Sequence, residues 1–146
     1  IAVKDFFAEN NLEPTISQQG AFELWEVDGL KILLGDFFQL TAQDLAACAA
    51  IYDRASLIAL PPDMREQYAA QIAPTNQTLL VSLEYDQSIT GGPPFSVTPA
   101  EVEQYYAAYY QIKLLAQVDI SASQHGLIAK GVQVLYEGIY LLSSKP

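Results

Sequence analysis

The run Ala47-Cys48-Ala49-Ala50-Ile51-Tyr52-Asp53-Arg54, followed by Pro61-Pro62-Asp63-Met64-Arg65 and then Thr78-Leu79-Leu80-Val81-Ser82-Leu83-Glu84-Tyr85, decides the fold class. Residues 47–52 read as a buried strand that stops at Asp53-Arg54. Residues 55–60 form a short helix or a turn. Pro61-Pro62-Asp63 opens a helix with Met64, Tyr68 and Ile72 on one face and Arg65, Glu66 and Gln67 on another, and Pro74 closes it. Residues 78–85 are a second strand, apolar at the start and polar at the end. Strand, helix and strand in this order belong to a layered α/β fold with a largely parallel sheet.

Working outward, Val3, Phe6 and Phe7 fall at helical spacing, so residues 1–10 read as a helix. Residues 13–20 are polar, contain Pro14 and Gly20, and read as a loop. Two strand-like runs, 22–26 and 30–34, flank Asp28-Gly29, the strongest short hairpin signal in a sequence. Thr41-Ala42-Gln43-Asp44 has the capping-box pattern and opens a short helix. Residues 88–97 form a loop around Gly91-Gly92-Pro93-Pro94. Thr98-Pro99-Ala100-Glu101 starts another helix, with Val102, Tyr105, Tyr106 and Tyr109 on its inner face. Residues 111–118 and 132–142 are two final strands, expected as an antiparallel pair. The segment between them, 119–131, is rich in Ser and Gly and holds the only His.

The 146 residues are 51% apolar and 16% charged, which fits one folded domain over 1–146 and excludes a disordered chain. No apolar run approaches the ~20 residues that cross a bilayer. Seven Lys and Arg stand against 17 Asp and Glu, for a net charge of −10. The arginines are Arg54 and Arg65 alone. Such a surface repels phosphate backbones and argues against nucleic acid as a partner. The single Cys48, among alanines, reads as a small buried hydrophobe in a reducing compartment. A cytoplasmic monomer is expected. The chain opens with Ile1, already inside the first amphipathic pattern, which reads as a chain whose beginning lies elsewhere.

In open α/β sheets ligands gather beyond the carboxyl ends of strands, so the residues just after each apolar run are the candidates. Asp36 follows Leu33-Leu34-Gly35; it is either an acceptor for a ligand amino group, with Phe37 or Phe38 stacking on a flat ring, or a turn and cap residue. Arg54 is either half of a solvated pair or a planar donor fork for an anionic or thiolate ligand. Gly91-Gly92-Pro93-Pro94-Phe95 either presents Phe95 to a ligand or tucks it into the core. His125 has no second His or Cys nearby, so no metal site is expected. No nucleophile and base can be paired, and no glycine-rich phosphate loop follows a strand.

Taken together, several segments resemble the thiopurine S-methyltransferase family in its bacterial form. They are Ile1-Ala2-Val3-Lys4-Asp5-Phe6-Phe7, Gly35-Asp36-Phe37-Phe38-Gln39-Leu40, Tyr52-Asp53-Arg54-Ala55, Ala59-Leu60-Pro61-Pro62-Asp63-Met64-Arg65, Leu83-Glu84-Tyr85-Asp86-Gln87 and Gly92-Pro93-Pro94-Phe95-Ser96-Val97. The resemblance implies a Rossmann-like sheet with helices on both faces and a C-terminal antiparallel strand pair. It implies an enzyme that uses S-adenosyl-L-methionine, without metal, to methylate the sulfur of thiopurines and related aromatic thiols. Tellurium and selenium compounds, and hence tellurite resistance, are further acceptors it implies. It assigns Asp36 and Phe37 to the adenine, Arg54 to the cofactor site and to thiolate positioning, and Pro93, Pro94 and Phe95 to the substrate.

The same resemblance places the family's glycine-containing cofactor loop, its first two strands and the ribose-binding acid before Ile1. The residues given would then be the C-terminal portion of a methyltransferase domain. A basic residue expected near the last hairpin has no clear match, and neither His125 nor Lys130 is assigned to it. The alternative is a non-catalytic α/β binding module that lacks the cofactor loop. Methyl transfer to sulfur needs alignment more than acid–base machinery, so the lack of a triad agrees with the enzyme reading.

Overall fold

A computed structural model of the protein describes residues 2–73 and 77–145. The chain divides between Leu40 and Thr41 into two compact units. The first contains helix α1 (Ala2–Glu9) and strands β1 (Thr15–Gln19), β2 (Phe22–Val27) and β3 (Leu30–Leu34), followed by a 3-10 turn at Phe37–Gln39. The strands form an antiparallel meander in the order β1-β2-β3. Asp28 and Gly29 make the two-residue β2–β3 turn, with Val27 opposite Leu30 and φ of 47° and 81°. Both values are left-handed, as a turn matching the strand twist requires, and the glycine adopts its value without a Cβ penalty. Phe7 is buried and stacks on Trp25 at 5.7 Å between centroids. Phe22 and Leu24 complete the buried set.

The second unit holds α2 (Ala42–Ala46), β4 (Ile51–Arg54), α3 (Ser56–Ala59), α4 (Pro62–Ile72), β5 (Gln77–Glu84), α5 (Pro99–Tyr106), β6 (Tyr110–Asp119), α6 (His125–Ile128) and β7 (Tyr136–Ser144). Its sheet runs β4-β5-β7-β6. The β4/β5 pair is parallel, whereas β5/β7 and β6/β7 are antiparallel. The fold is therefore mixed α/β with the expected C-terminal antiparallel pair. Leu57, Tyr68, Ala69, Ile72, Leu80, Val102, Tyr106, Tyr110 and Leu142 are buried. The Tyr110 hydroxyl donates to the Ile72 carbonyl at 2.9 Å and ties the start of β6 to the end of α4. A second apolar cluster joins Leu83, Tyr85, Leu127, Val132 and Leu135.

Several sequence expectations need correction. Residues 15–19 are a strand, not part of a loop: β1 is exposed throughout and polar, so it carries no apolar alternation and is held by its ladder to β2. Residues 47–50 are not strand. The Thr41 capping box starts α2, which takes in Ala46, and β4 begins only at Ile51. Cys48 therefore lies in an exposed connection, not in the core. Arg65 belongs to the buried face of α4 with Tyr68, Ala69 and Ile72. Tyr109 is 41% exposed, and Tyr110 takes the inner place assigned to it. Residues 132–135 precede β7, and a one-turn helix, α6, stands between the last two strands. A largely parallel sheet is also not what forms: among the described pairings only β4/β5 is parallel. The assignment of Pro74 as the end of α4 lies outside the described residues; the helix ends at Ile72, with Ala73 as its C-cap.

Candidate active site

At the carboxyl end of β4, alternation turns Asp53 inward and Arg54 outward. Asp53 is 2% exposed and accepts from the Tyr68 hydroxyl at 2.9 Å and from the Leu57 amide at 3.4 Å. Ala55, at the start of α3, has a φ of 84° and offers no side-chain cap, so Asp53 supplies it from two residues upstream. Burial pushes the Asp53 carboxyl up, against the lowering pull of the Tyr68 hydroxyl and the Leu57 and Ser56 amides. Burial and the adjacent carboxylate push the Tyr68 phenol up as well. A carboxylate is placed in this interior because its hydrogen bonds lock α3 and α4 to the strand end, and that lock fixes the backbone carrying Arg54.

The Arg54 guanidinium reaches across β5 to Glu137 of β7, with Nη2 to Oε1 at 3.2 Å. Glu137, and next Tyr52, raise its pKa further. Both side chains border a cleft of about 150 Å³, together with Ala55, Ile58, Pro94 and Gln124. Two of the residues expected from sequence, Arg54 and Pro94, thus meet in one cleft. The segment before β7 contributes Gln124 there, not His125 or Lys130.

The loop that presents Pro94 is pinned on both sides. Gly92–Pro93 and Pro93–Pro94 are cis. The Phe95 amide donates to the Ile58 carbonyl at 2.6 Å, and the Tyr85 hydroxyl donates to the Pro94 carbonyl at 2.6 Å. The Gln87 side chain accepts from the Ser96 amide at 2.6 Å and donates to the Thr90 carbonyl. Gly92 has a φ of +69°, and a Cβ there would stand 2.6 Å from the Phe95 ring. Phe95 is half-buried and lines a different cleft, of about 500 Å³, with Arg65, Tyr85 and Glu101. Pro93 borders neither cleft.

Arg65 gives that second cleft its floor. It is 1% exposed, donates through Nε to the Leu60 carbonyl at 3.1 Å and through Nη1 to Glu101 at 2.7 Å. Its guanidinium carbon lies 5.8 Å from the Phe95 ring centroid. The other Glu101 oxygen closes the capping box of α5 on Thr98. The sequence signal for this pair was the Thr98 box with Glu101 at its third position; nothing in the pattern of α4 marked Arg65 as its partner.

Asp36 and Phe37 lie in the first unit. Asp36 is exposed and caps the 3-10 turn, Oδ1 accepting from the Phe38 amide at 3.0 Å. Phe37 and Phe38 are half-buried and meet edge to face at 5.8 Å. Asp36 is thus the cap residue that one of its two readings required, and Oδ2 remains as a further acceptor. An acceptor beside phenyl rings at the end of a strand fits the amino edge of an adenine in chemical kind. Among the described residues no helix is long and apolar enough to cross a membrane.

Comparison with known proteins gives a consistent result. Residues 1–145 match the family model described as thiopurine S-methyltransferase. A protein named thiopurine S-methyltransferase from Pseudomonas fluorescens strain Pf0-1 is 46% identical over 142 residues, covering 95% of this chain and 65% of the relative. One of the same name from Pseudomonas paraeruginosa is 47% identical, covering 97% of this chain and 66% of the relative. Another from Azotobacter vinelandii is 43% identical over 99% of this chain and 68% of its own length. The chain thus spans about two thirds of the length of the curated relatives it matches.

Proposed function

The chain belongs to the thiopurine S-methyltransferase family, and on that premise we propose that the protein transfers a methyl group from S-adenosyl-L-methionine to the sulfur of thiopurines and related aromatic thiols. The observation that carries the reading is the placement of Arg54. A permanent cation with a planar donor fork stands at a strand's carboxyl end, in a cleft shared with the proline of the Gly-Pro-Pro-Phe loop.

When bound, S-adenosyl-L-methionine supplies the activated methyl group. Asp36 would accept from its adenine amino group and Phe37 would lie against the ring. Arg54 holds the acceptor's sulfur in its ionised form and orients it. Pro94, beside Arg54 in the same cleft, offers an apolar side to a flat acceptor ring; Pro93 and Phe95 do not border that cleft and would contribute only as the turn that presents Pro94. Such a site gains rate by alignment. Compounds of tellurium and selenium are a second acceptor class for the same fork. The exposed free thiol of Cys48 suits a reducing, cytoplasmic setting.

The test begins with calorimetric titration of S-adenosylhomocysteine into the full-length protein, followed by an acceptor screen. Arg54→Ala is expected to lose methyl transfer while its unfolding curve stays normal. Arg54→Lys is expected to keep only part of the activity, since an ammonium lacks the planar fork. Equal losses in kcat and kcat/KM mark a role in the transition state. Full activity in both variants would return Arg54 to an ordinary surface pair.

A further inference from the structure

The contact between Arg54 and Glu137 has no evident purpose in stability. The Arg54 side chain is 56% exposed, and pairs so open to water contribute little to folding. Glu137 is the more buried partner, at 21%. Its carboxylate sits on the interior strand β7, two strands from β4, and Arg54 reaches it by leaning over β5 between Val81 and Leu83. Both groups open on the same cleft. An acceptor drawn to Arg54 therefore meets a negative charge about one guanidinium width away. Arginine has five N–H donors; Glu137 takes one of the two on Nη2, and the Tyr52 side chain accepts another. The remaining donors suit a single soft anion such as a thiolate, while a second negative group on the acceptor would face Glu137.

We propose that Glu137 is a charge-selecting residue of the Arg54 cleft, favouring acceptors whose only charge is the reacting thiolate over acceptors that carry a second, permanent negative group. The inference rests on the reading of Arg54 as the acceptor-positioning residue. It ranks neutral aromatic thiols above carboxylated ones, and above oxyanions of tellurium and selenium.

The test compares thiophenol with 2-mercaptobenzoate as methyl acceptors in the full-length protein. Glu137→Gln is expected to raise kcat/KM for 2-mercaptobenzoate relative to thiophenol by about tenfold at low ionic strength, the scale of one unit charge removed at short range. That gain is expected to shrink as salt is added, because the effect is Coulombic at a solvent-exposed rim. Glu137→Asp keeps the charge and is expected to keep the wild-type order of preference. Arg54→Ala serves as the separate control. If it leaves methyl transfer intact, the reading of Arg54 fails and the proposal falls with it. If Arg54→Ala abolishes transfer and Glu137→Gln leaves the acceptor ratio unchanged at low salt, the proposal alone is overturned.

Discussion

The Asp36 carboxylate commits one oxygen to the Phe38 amide, so two substitutions separate its capping role from a ligand role. Asp36→Ala removes both and is expected to cost about 1 kcal/mol of stability as a lost cap. Asp36→Asn keeps a good cap, and its stability is expected to match the parent. If the carboxylate also accepts from the cofactor, S-adenosylhomocysteine affinity in Asp36→Asn falls by about 1–3 kcal/mol. Calorimetry showing parental affinity would leave Asp36 as a turn residue alone. Asp53 answers to pH instead. Burial raises its pKa above the ordinary value of 3.8, so the folded chain holds this proton more tightly than the unfolded chain. Its contribution is fully present below 3.8 and is lost as pH rises through the raised native value. Asp86 and Asp119 run the other way. Hydrogen bonds from Ser88 and Ser121 lower their pKa values, so their contributions are present above 3.8 and lost as pH falls through the lowered values. Urea midpoints of the parent measured against Asp53→Asn cancel these background groups. The difference is expected to move in the parent's favour between about pH 7 and about pH 4; movement in the opposite direction would contradict the buried-carboxyl account.

Among the elements, α5 carries two jobs on one residue, because Glu101 closes its own helix's capping box and neutralises Arg65 of α4. Thr98→Ala breaks the box and is expected to cost about 1 kcal/mol. Glu101→Gln can still close the box, yet it leaves a 1% exposed guanidinium without its carboxylate. The expected cost is about 3 kcal/mol, the low end for breaking a buried pair, since Glu101 itself is 28% exposed. Equal costs for the two variants would show that Arg65 draws its compensation elsewhere. This element also shows where sequence reading succeeds and stops. The Asp28-Gly29 turn and both capping boxes were legible because each is closed by residues within a few positions of one another. The strand β1 was not, because it is exposed throughout and shows no apolar alternation; the inward Arg65 was not, because the Glu101 that pairs with it lies 36 residues away. Likewise Arg54 and Pro94 stood out as candidates by their positions after a strand and in a turn, and the two border one cleft. Glu137 did not, because a glutamate near the start of a strand carries no local sign of what it faces.

On the scale of the whole molecule, 17 acidic side chains face seven basic ones. The basic groups with ion pairs among the described residues are Lys31 with Glu26, Arg54 with Glu137 and Arg65 with Glu101. Most of the negative charge thus has no cation beside it, and its self-repulsion works against the compact state. Raising sodium chloride from about 10 mM to about 150 mM shortens the screening length from about 30 Å to about 8 Å. The urea midpoint is expected to rise over that interval. A fall would mean that the few attractive pairs outweigh the many unpaired acids.

Gly91 and Gly92 stand side by side, yet random substitution would treat them very differently. A methyl group added at the first meets nothing within 4 Å; at the second it strikes the Phe95 ring, on a left-handed backbone. Sequence drift is therefore free to erase one glycine and bound to spare the other. A lineage that lost Gly92 would have to surrender the Phe95 ring in the same step, so the two positions are tied as one inherited unit within an otherwise replaceable turn.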